Sequence, residues 1–265
     1  MTGASPAAPP AGYGGGMSYK LKRAYDGTNY HGWQRQPDRR TVQGTLEEAI
    51  FKITRQRVSV SGAGRTDAGV HAREQVAGFR LDPTLPNREF FKALNAVLPP
   101  DIRITSLIKA PAGFHPRRSA RSKVYVYRIL NAPRVDPFRL RYVLHWPHRL
   151  DIRAMRKAAA LFAREADFSA FSSNRELHPV RTVLRSRLRR AGDEIVYSVE
   201  ADGFLRYMVR TIVGTLLEVG RGKIPPEKVE DLFREKGRTL HSPTAPAKGL
   251  CLMKVSYGPR TRPIT

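Results

Sequence analysis

A carboxylate set among glycines and close to an arginine and a histidine can do chemistry, and residues 62 to 71 read Gly62-Ala63-Gly64-Arg65-Thr66-Asp67-Ala68-Gly69-Val70-His71. Glycine lets a backbone turn tightly or approach a ligand closely, so the segment is suited to presenting Asp67. An ionised carboxylate is a nucleophile, and the arginine two residues earlier favours the ionised form. Two familiar glycine loops do not fit. A dinucleotide fingerprint starting at Gly62 and Gly64 needs a third glycine where Asp67 stands, which would set a negative charge against a pyrophosphate. A P-loop spanning Gly64 and Gly69 needs lysine and a hydroxyl next, and Val70 and His71 stand there instead. On residue types alone, a hairpin loop whose Asp67 only accepts backbone hydrogen bonds stays open beside the catalytic reading.

The surroundings of this loop are cationic. The chain of 265 residues carries 47 lysines and arginines against 23 acidic residues, a formal charge of +24. Self-repulsion on that scale points to a polyanionic partner. Nucleic acid is favoured over membrane, because no apolar run approaches the ~18 residues of a spanning helix and the basic residues are not confined to one amphipathic helix. Cys251 is the single cysteine, which rules out an internal disulfide or a cysteine zinc cluster and suits a reducing cytoplasm. Base deamination, which needs zinc with cysteine ligands, falls with it. His145 and His148 flank Pro147 without a third ligand, so no metal is expected. The start of the chain, residues 1–17, is rich in proline, glycine and alanine, lacks the marks of a signal peptide, and reads as a disordered tail.

The elements that must hold the loop follow from periodicity. Tyr19 to Tyr25 reads as a strand, Asp26-Gly27 as a turn, and Tyr30 to Gln36 as an aromatic loop. A helix follows, with Val42, Leu46, Ala49, Ile50 and Ile53 on one face and Thr41 as its cap. Arg57 to Ser61 and Gln75 to Leu81 read as the two strands of a hairpin with Asp67 at its tip. Asn87 is placed to cap a second helix carrying Phe90, Phe91, Leu94, Val97 and Leu98, and a strand from Asp101 to Lys109 completes a β-α-β-β-α-β order.

The second half repeats that order: a strand over Lys123 to Leu130, a helix over Asp151 to Arg164, strands over Val180 to Arg189 and Ile195 to Ala201, a helix from Phe204 to Val219 and a strand from Leu250 to Val255, with a short helix over Pro225 to Phe233. The class is therefore α+β, two ferredoxin-like (split βαβ) halves at 18–112 and 113–265, with antiparallel sheets flanked by helices and an active-site cleft between them.

Basic clusters lie on both halves. Arg181, Arg185, Arg187 and Arg189 are expected on one strand face, opposite Thr182, Leu184 and Leu188. Phe114-His115-Pro116-Arg117-Arg118 and the residues through Lys123 mix cations with an aromatic ring and hydroxyls, a composition suited to phosphate contacts. Arg206 and Arg210 are i, i+4 neighbours on an otherwise apolar helix, which points Arg210 at something specific.

These segments together resemble the bacterial tRNA pseudouridine synthases that modify positions 38 to 40 of the anticodon stem-loop. The resemblance runs from about Tyr19 to Tyr257 and rests on Tyr25-Asp26-Gly27-Thr28, Gly32-Trp33-Gln34-Arg35-Gln36, Gly64 to His71, Phe114-His115 with Arg117, Lys123-Val124-Tyr125-Val126-Tyr127, and Met208 to Gly214. It implies that Asp67 is the nucleophile, that Arg65 assists base extrusion, that Tyr125 stacks on the target uracil and that Arg210 pairs with the aspartate. It also implies a homodimer without cofactor or metal, with tRNA as partner and Phe114, His115, Arg117 and Arg118 as RNA contacts.

Such a reaction requires uracil to leave its glycosidic nitrogen, turn, and rejoin the same ribose through carbon 5, with no redox change. A carboxylate can begin this at base carbon 6 or at the ribose. Arg65 and Arg210, if close, are expected to hold the Asp67 pKa down against burial. The competing class is a non-catalytic RNA-binding protein or chaperone with the same basic surface. An anionic group at an RNA-facing site opposes phosphate binding, which favours catalysis.

Overall fold

The computed structural model describes residues 16–173, 177–234 and 242–258. Of the tail expected over 1–17, residues 1–15 lie outside the described residues, and Met17 opens the first strand. Among the described residues no helix is long and apolar enough to cross a membrane.

Strand β1 (Met17–Tyr25) turns Tyr19, Leu21, Arg23 and Tyr25 inward, the period of two that a strand shows when one face is covered. It lies between β3 (His71–Leu81) and β4 (Ile102–Lys109), antiparallel to both. Helix α1 (Val42–Thr54) starts at Thr41, whose hydroxyl accepts the Gly44 N–H, and it buries Val42, Leu46, Ala49 and Ile50. Helix α2 (Asn87–Val97) sets Phe90 edge-on to Tyr19 and Phe79.

The second half contributes β5 (Ser122–Leu130), α3 (Ile152–Leu161), β8 (Val180–Ala191), β9 (Glu194–Ala201), α4 (Met208–Gly220) and β10 (Leu250–Ser256). Asp151 caps α3 by accepting the Ala154 N–H. Helix α4 is buried on almost every side, as its nearly unbroken apolar sequence demands. Short elements complete the chain: β2 (Ser61–Gly62), β6 (Leu144–His145), β7 (Glu165–Asp167) and α5 (Lys228–Arg234).

Where two sheets were expected, the strands form one, in the order β4-β1-β3-β10-β5-β9-β8-β7, with β2 on β3 and β6 on β5. The join is β10, antiparallel to β5 and parallel to β3. Its parallel contact sets Cys251 opposite His71 and Leu252 opposite Ala72. As a result Tyr25, Ala72, Leu252, Tyr125 and Val199 stand in one row across the sheet. The start of β3, where the Asp67 loop ends, is thus two strand spacings, roughly 10 Å, from Tyr125.

Several local expectations change, each for a physical reason. Of the strand expected over Arg57 to Ser61, only Ser61 pairs, because the Val60 N–H donates to Glu47 Oε1 of α1 and Arg57 lies over the Phe51 ring. Asn87 is the first residue of α2 rather than its cap, and no side chain caps that helix. The helix expected from Phe204 starts at Met208, since Tyr207 holds a left-handed backbone (φ 65°) that a right-handed helix cannot include. Arg206 therefore precedes α4 instead of sharing its stripe with Arg210.

In β8, Val183 faces Ala201 and Arg185 faces Glu200, so Leu184 is an extra residue. That bulge turns Arg181 to the opposite face from Arg185, Arg187 and Arg189.

Candidate active site

The pairing of Ser61 with Gly78 and Gly62 with Ala77 closes a hairpin whose loop contains Asp67. Backbone and side-chain bonds fix the loop from beneath. The Trp33 N–H donates to the Thr66 carbonyl at 2.9 Å, the Gly69 N–H to the Tyr30 carbonyl at 3.3 Å, and the Gln75 amide to the Gly64 carbonyl at 2.8 Å. The Tyr25 and Thr66 hydroxyls share a hydrogen bond of 2.8 Å. The aromatic loop of residues 30–36 is therefore the bed of the Asp67 loop. Its approach depends on Gly32, which has φ +87° and would place any Cβ 2.6 Å from the Thr66 carbonyl oxygen.

Trp33 rests in turn on Arg23, whose guanidinium carbon lies 3.9 Å from the ring centroid. Arg23 is wholly buried, none of its three side-chain nitrogens has a hydrogen-bond partner among the described residues, and burial pulls its pKa down to about 9. The indole face is the compensation this cation has. At the loop's exit His71 is structural: its Nδ1 accepts the Gly27 N–H at 3.1 Å and its Nε2 meets the Arg141 carbonyl at 2.9 Å.

Asp67 Oδ2 accepts a hydrogen bond from Arg210 Nη1 at 3.1 Å. Arg210 Nε donates at the same time to the Ala245 carbonyl at 2.8 Å, so the guanidinium is held at two points. Residues 242–247 cross α4 to supply that carbonyl. They come so close that a Cβ at Gly214 would lie 1.8 Å from the Pro243 carbonyl oxygen. The Tyr127 hydroxyl anchors the same segment by donating to the Pro246 carbonyl at 2.7 Å.

Burial raises the Asp67 pKa, while the hydrogen bond and charge of Arg210, and then the charge of Arg206, act to lower it. The net direction is upward. This corrects the expectation that Arg65 and Arg210 would hold it down: Arg65 is exposed and makes no ion pair among the described residues, and desolvation outweighs the cations that are near. Arg206 and Tyr207 are neighbours that the sequence did not mark as part of the site. The Tyr207 ring lies under both guanidiniums, 4.7 Å from that of Arg210 and 5.2 Å from that of Arg206. A tyrosine with positive φ leaves no trace in a periodicity.

Tyr125 is buried, edge-on to Phe204 at 5.0 Å and 84°. Desolvation raises its hydroxyl pKa, and the charges of Tyr25 and Asp67 add to that. Phe114 tilts against Tyr257 at 5.2 Å, with Lys20 over both rings. His115 Nδ1 accepts the backbone N–H groups of Arg117 and Arg118, each at 3.2 Å, and so shapes the turn that leaves both arginine side chains exposed. Among the described residues no group of three His, Cys, Asp or Glu is placed to hold a metal ion.

A part-buried carboxylate held by an arginine from the other half of the chain suits nucleophilic attack on a substrate that brings its own negative charge. The family model for tRNA pseudouridine synthase matches residues 22–117 and 158–258. The chain belongs to the tRNA pseudouridine synthase family. Asp67 falls in the first matched block, Arg210 in the second, and Tyr125 between them.

Members of this family are similar over nearly the whole chain. tRNA pseudouridine synthase A of Pelobacter propionicus is 45% identical over 242 residues, 90% of this chain and 98% of its own. That of Thermodesulfovibrio yellowstonii is 40% identical over 253 residues, 91% of this chain and all of its own. tRNA pseudouridine synthase A 2 of Clostridium perfringens is 41% identical over 240 residues, 90% of this chain and 98% of its own. Enzymes of the tRNA pseudouridine synthase family are isomerases of tRNA uridines.

Proposed function

We propose that this protein converts uridine to pseudouridine at positions 38, 39 and 40 of the tRNA anticodon stem-loop, with Asp67 as nucleophile. The observation that carries the reading is the Asp67–Arg210 pair, partly buried between the two halves of a chain with a formal charge of +24. The cations of Arg210 and Arg206 oppose the upward push that burial exerts on the Asp67 pKa. The target base leaves its stack, at a cost of a few kcal/mol, and stacking on the Tyr125 ring offsets that cost. Exposed Arg65 assists extrusion from the rim of the loop.

In the reaction the bond from ribose carbon 1′ to nitrogen 1 breaks, carbon 1′ bonds to carbon 5, and the carbon 5 hydrogen leaves as a proton while nitrogen 1 gains one. No electrons are gained or lost, and Asp67 is regenerated. Arg117 and Arg118, on the turn shaped by His115 beside Phe114, bind the RNA backbone.

The protein acts as a cytoplasmic homodimer of two ferredoxin-like halves. The first, residues 18–112, carries the nucleophile, and the second, residues 113–265, carries the stacking tyrosine and basic surface. The strand orders β4-β1-β3-β2 and β10-β5-β9-β8 support that division.

The test is tritium release from tRNA labelled at uridine carbon 5. Wild-type protein should release tritium, and Asp67→Ala should abolish release while binding tRNA within a few fold. Release by Asp67→Ala at the wild-type rate would end the assignment.

A further inference from the structure

Among the described residues Lys123 is a cation with no partner. It lies two residues before Tyr125 on β5, on the same inward face, and it is only 8% exposed. Its ammonium makes no hydrogen bond or ion pair within 4.0 Å among the described residues. Its stem runs along the Asp67 loop, so that a methyl group added at Gly64 would touch Lys123 Cε at 3.5 Å.

The neighbours make the imbalance worse. The Arg117 charge acts on it from the basic turn, and Arg181 is turned inward by the bulge at Leu184, its Nε lying 3.3 Å from where a Cβ of Gly203 would be. Burial lowers the lysine's affinity for its proton, and Arg117 and Arg181 lower it further, while Asp202 alone opposes them. A cation so largely buried, acted on by two others, favours the arrival of an anion.

We infer that Lys123, flanked by Arg117 and Arg181, is a binding site for the phosphodiester adjoining the flipped uridine, the anion that closes the pocket when RNA docks. Residues i and i+2 of a strand share a face at roughly 6.6 Å along it. Lys123 is therefore within one nucleotide of a base that meets Tyr125. The site rests on the reading of Asp67 and Tyr125 given above and adds to it a contact that fixes which linkage sits beside the nucleophile. A compact ammonium suits a single phosphate oxygen in a narrow space.

The experiment uses full-length wild-type, Lys123→Met and Lys123→Arg proteins with an anticodon stem-loop RNA. Two further RNAs carry one neutral methylphosphonate, on the 5′ or the 3′ side of the target uridine. On the all-phosphate RNA, Lys123→Met should bind roughly tenfold more weakly and lose about one unit of salt dependence, and Lys123→Arg should recover most of both. On one of the two neutral-linkage RNAs, wild type and Lys123→Met should bind equally.

A tenfold deficit that persists on both neutral RNAs overturns the site, as does equal binding of all three RNAs by wild-type protein, a readout independent of how any variant folds. Pseudouridine formed by wild type on the all-phosphate RNA is scored separately. Its absence would sink the proposed reaction and leave the phosphate contact to be judged by the binding data.

Discussion

Asp67 Oδ2 and Arg210 Nη1 lie 3.1 Å apart although 143 residues separate them in the chain. Neither residue can arrange this alone. The hairpin loop is set by Trp33, Tyr30 and Gln75, and the arginine by the Ala245 carbonyl. The site is a property of the whole sheet, and its behaviour under mutation should show that.

The first consequence concerns pH. Because burial raises the Asp67 pKa above the ordinary 3.8, its carboxylate is lost earlier on acidification than a free one would be. Tritium release should fall on an acid limb centred above that value. Arg210→Met removes the largest opposing influence, so its limb should lie at higher pH than the wild type and its maximum rate should be lower. The same shift acts oppositely on folding: a raised carboxylate contributes stability that is present below the ordinary value and is lost as pH rises through the folded one. A pH–rate profile of both proteins checks the order of the limbs.

Gly214 should matter to rate without touching substrate. Alanine there collides with the Pro243 carbonyl and must displace the segment that holds Arg210. Gly214→Ala should lower kcat by at least tenfold with tRNA affinity changed little, measured by single-turnover kinetics beside a binding titration.

At Tyr125 the ring, rather than the hydroxyl, is expected to carry the binding. Tyr125→Ala should cost about 1–3 kcal/mol, roughly 5- to 150-fold in kcat/KM, and Tyr125→Phe should keep most of the activity. Equal losses in the two variants would assign the work to the hydroxyl.

The exposed cations should act through counterion release. Arg118→Ala should weaken binding of any RNA to a similar degree and reduce the slope of log affinity against log salt by about one. Titrations at several salt concentrations against two unrelated RNAs read this directly.

Stability depends on a few local devices that a melting experiment can reach. Thr41→Ala removes the hydroxyl that accepts the Gly44 N–H and should cost about 1 kcal/mol of stability. Asp151→Ala at the start of α3 should cost a similar amount.

Much of this was legible in the sequence because it is written in local chemistry. The Thr41 cap, the inward alternation of β1 and the glycine-framed loop around Asp67 all follow from residue types at fixed spacing. What was not legible arises where the chain departs from regular geometry or where distant parts meet. The bulge at Leu184 reverses Arg181 without any change of composition. The left-handed Tyr207 moves the start of α4 by a whole turn and takes Arg206 off the helix. The sign of the Asp67 shift depends on burial, which no window of sequence reports, and the merger of two expected sheets into one depends on the two-residue contact of β10 with β3.

That contact has a consequence for biogenesis. Residues 250–256 are among the last of the described chain to leave a ribosome, yet they bring the Asp67 hairpin beside β5. A nascent polypeptide stalled before them would possess Asp67 and Arg210 without the strand that joins their neighbourhoods. The Asp67 hairpin should thus take its place beside β5 only once synthesis has passed Ser256.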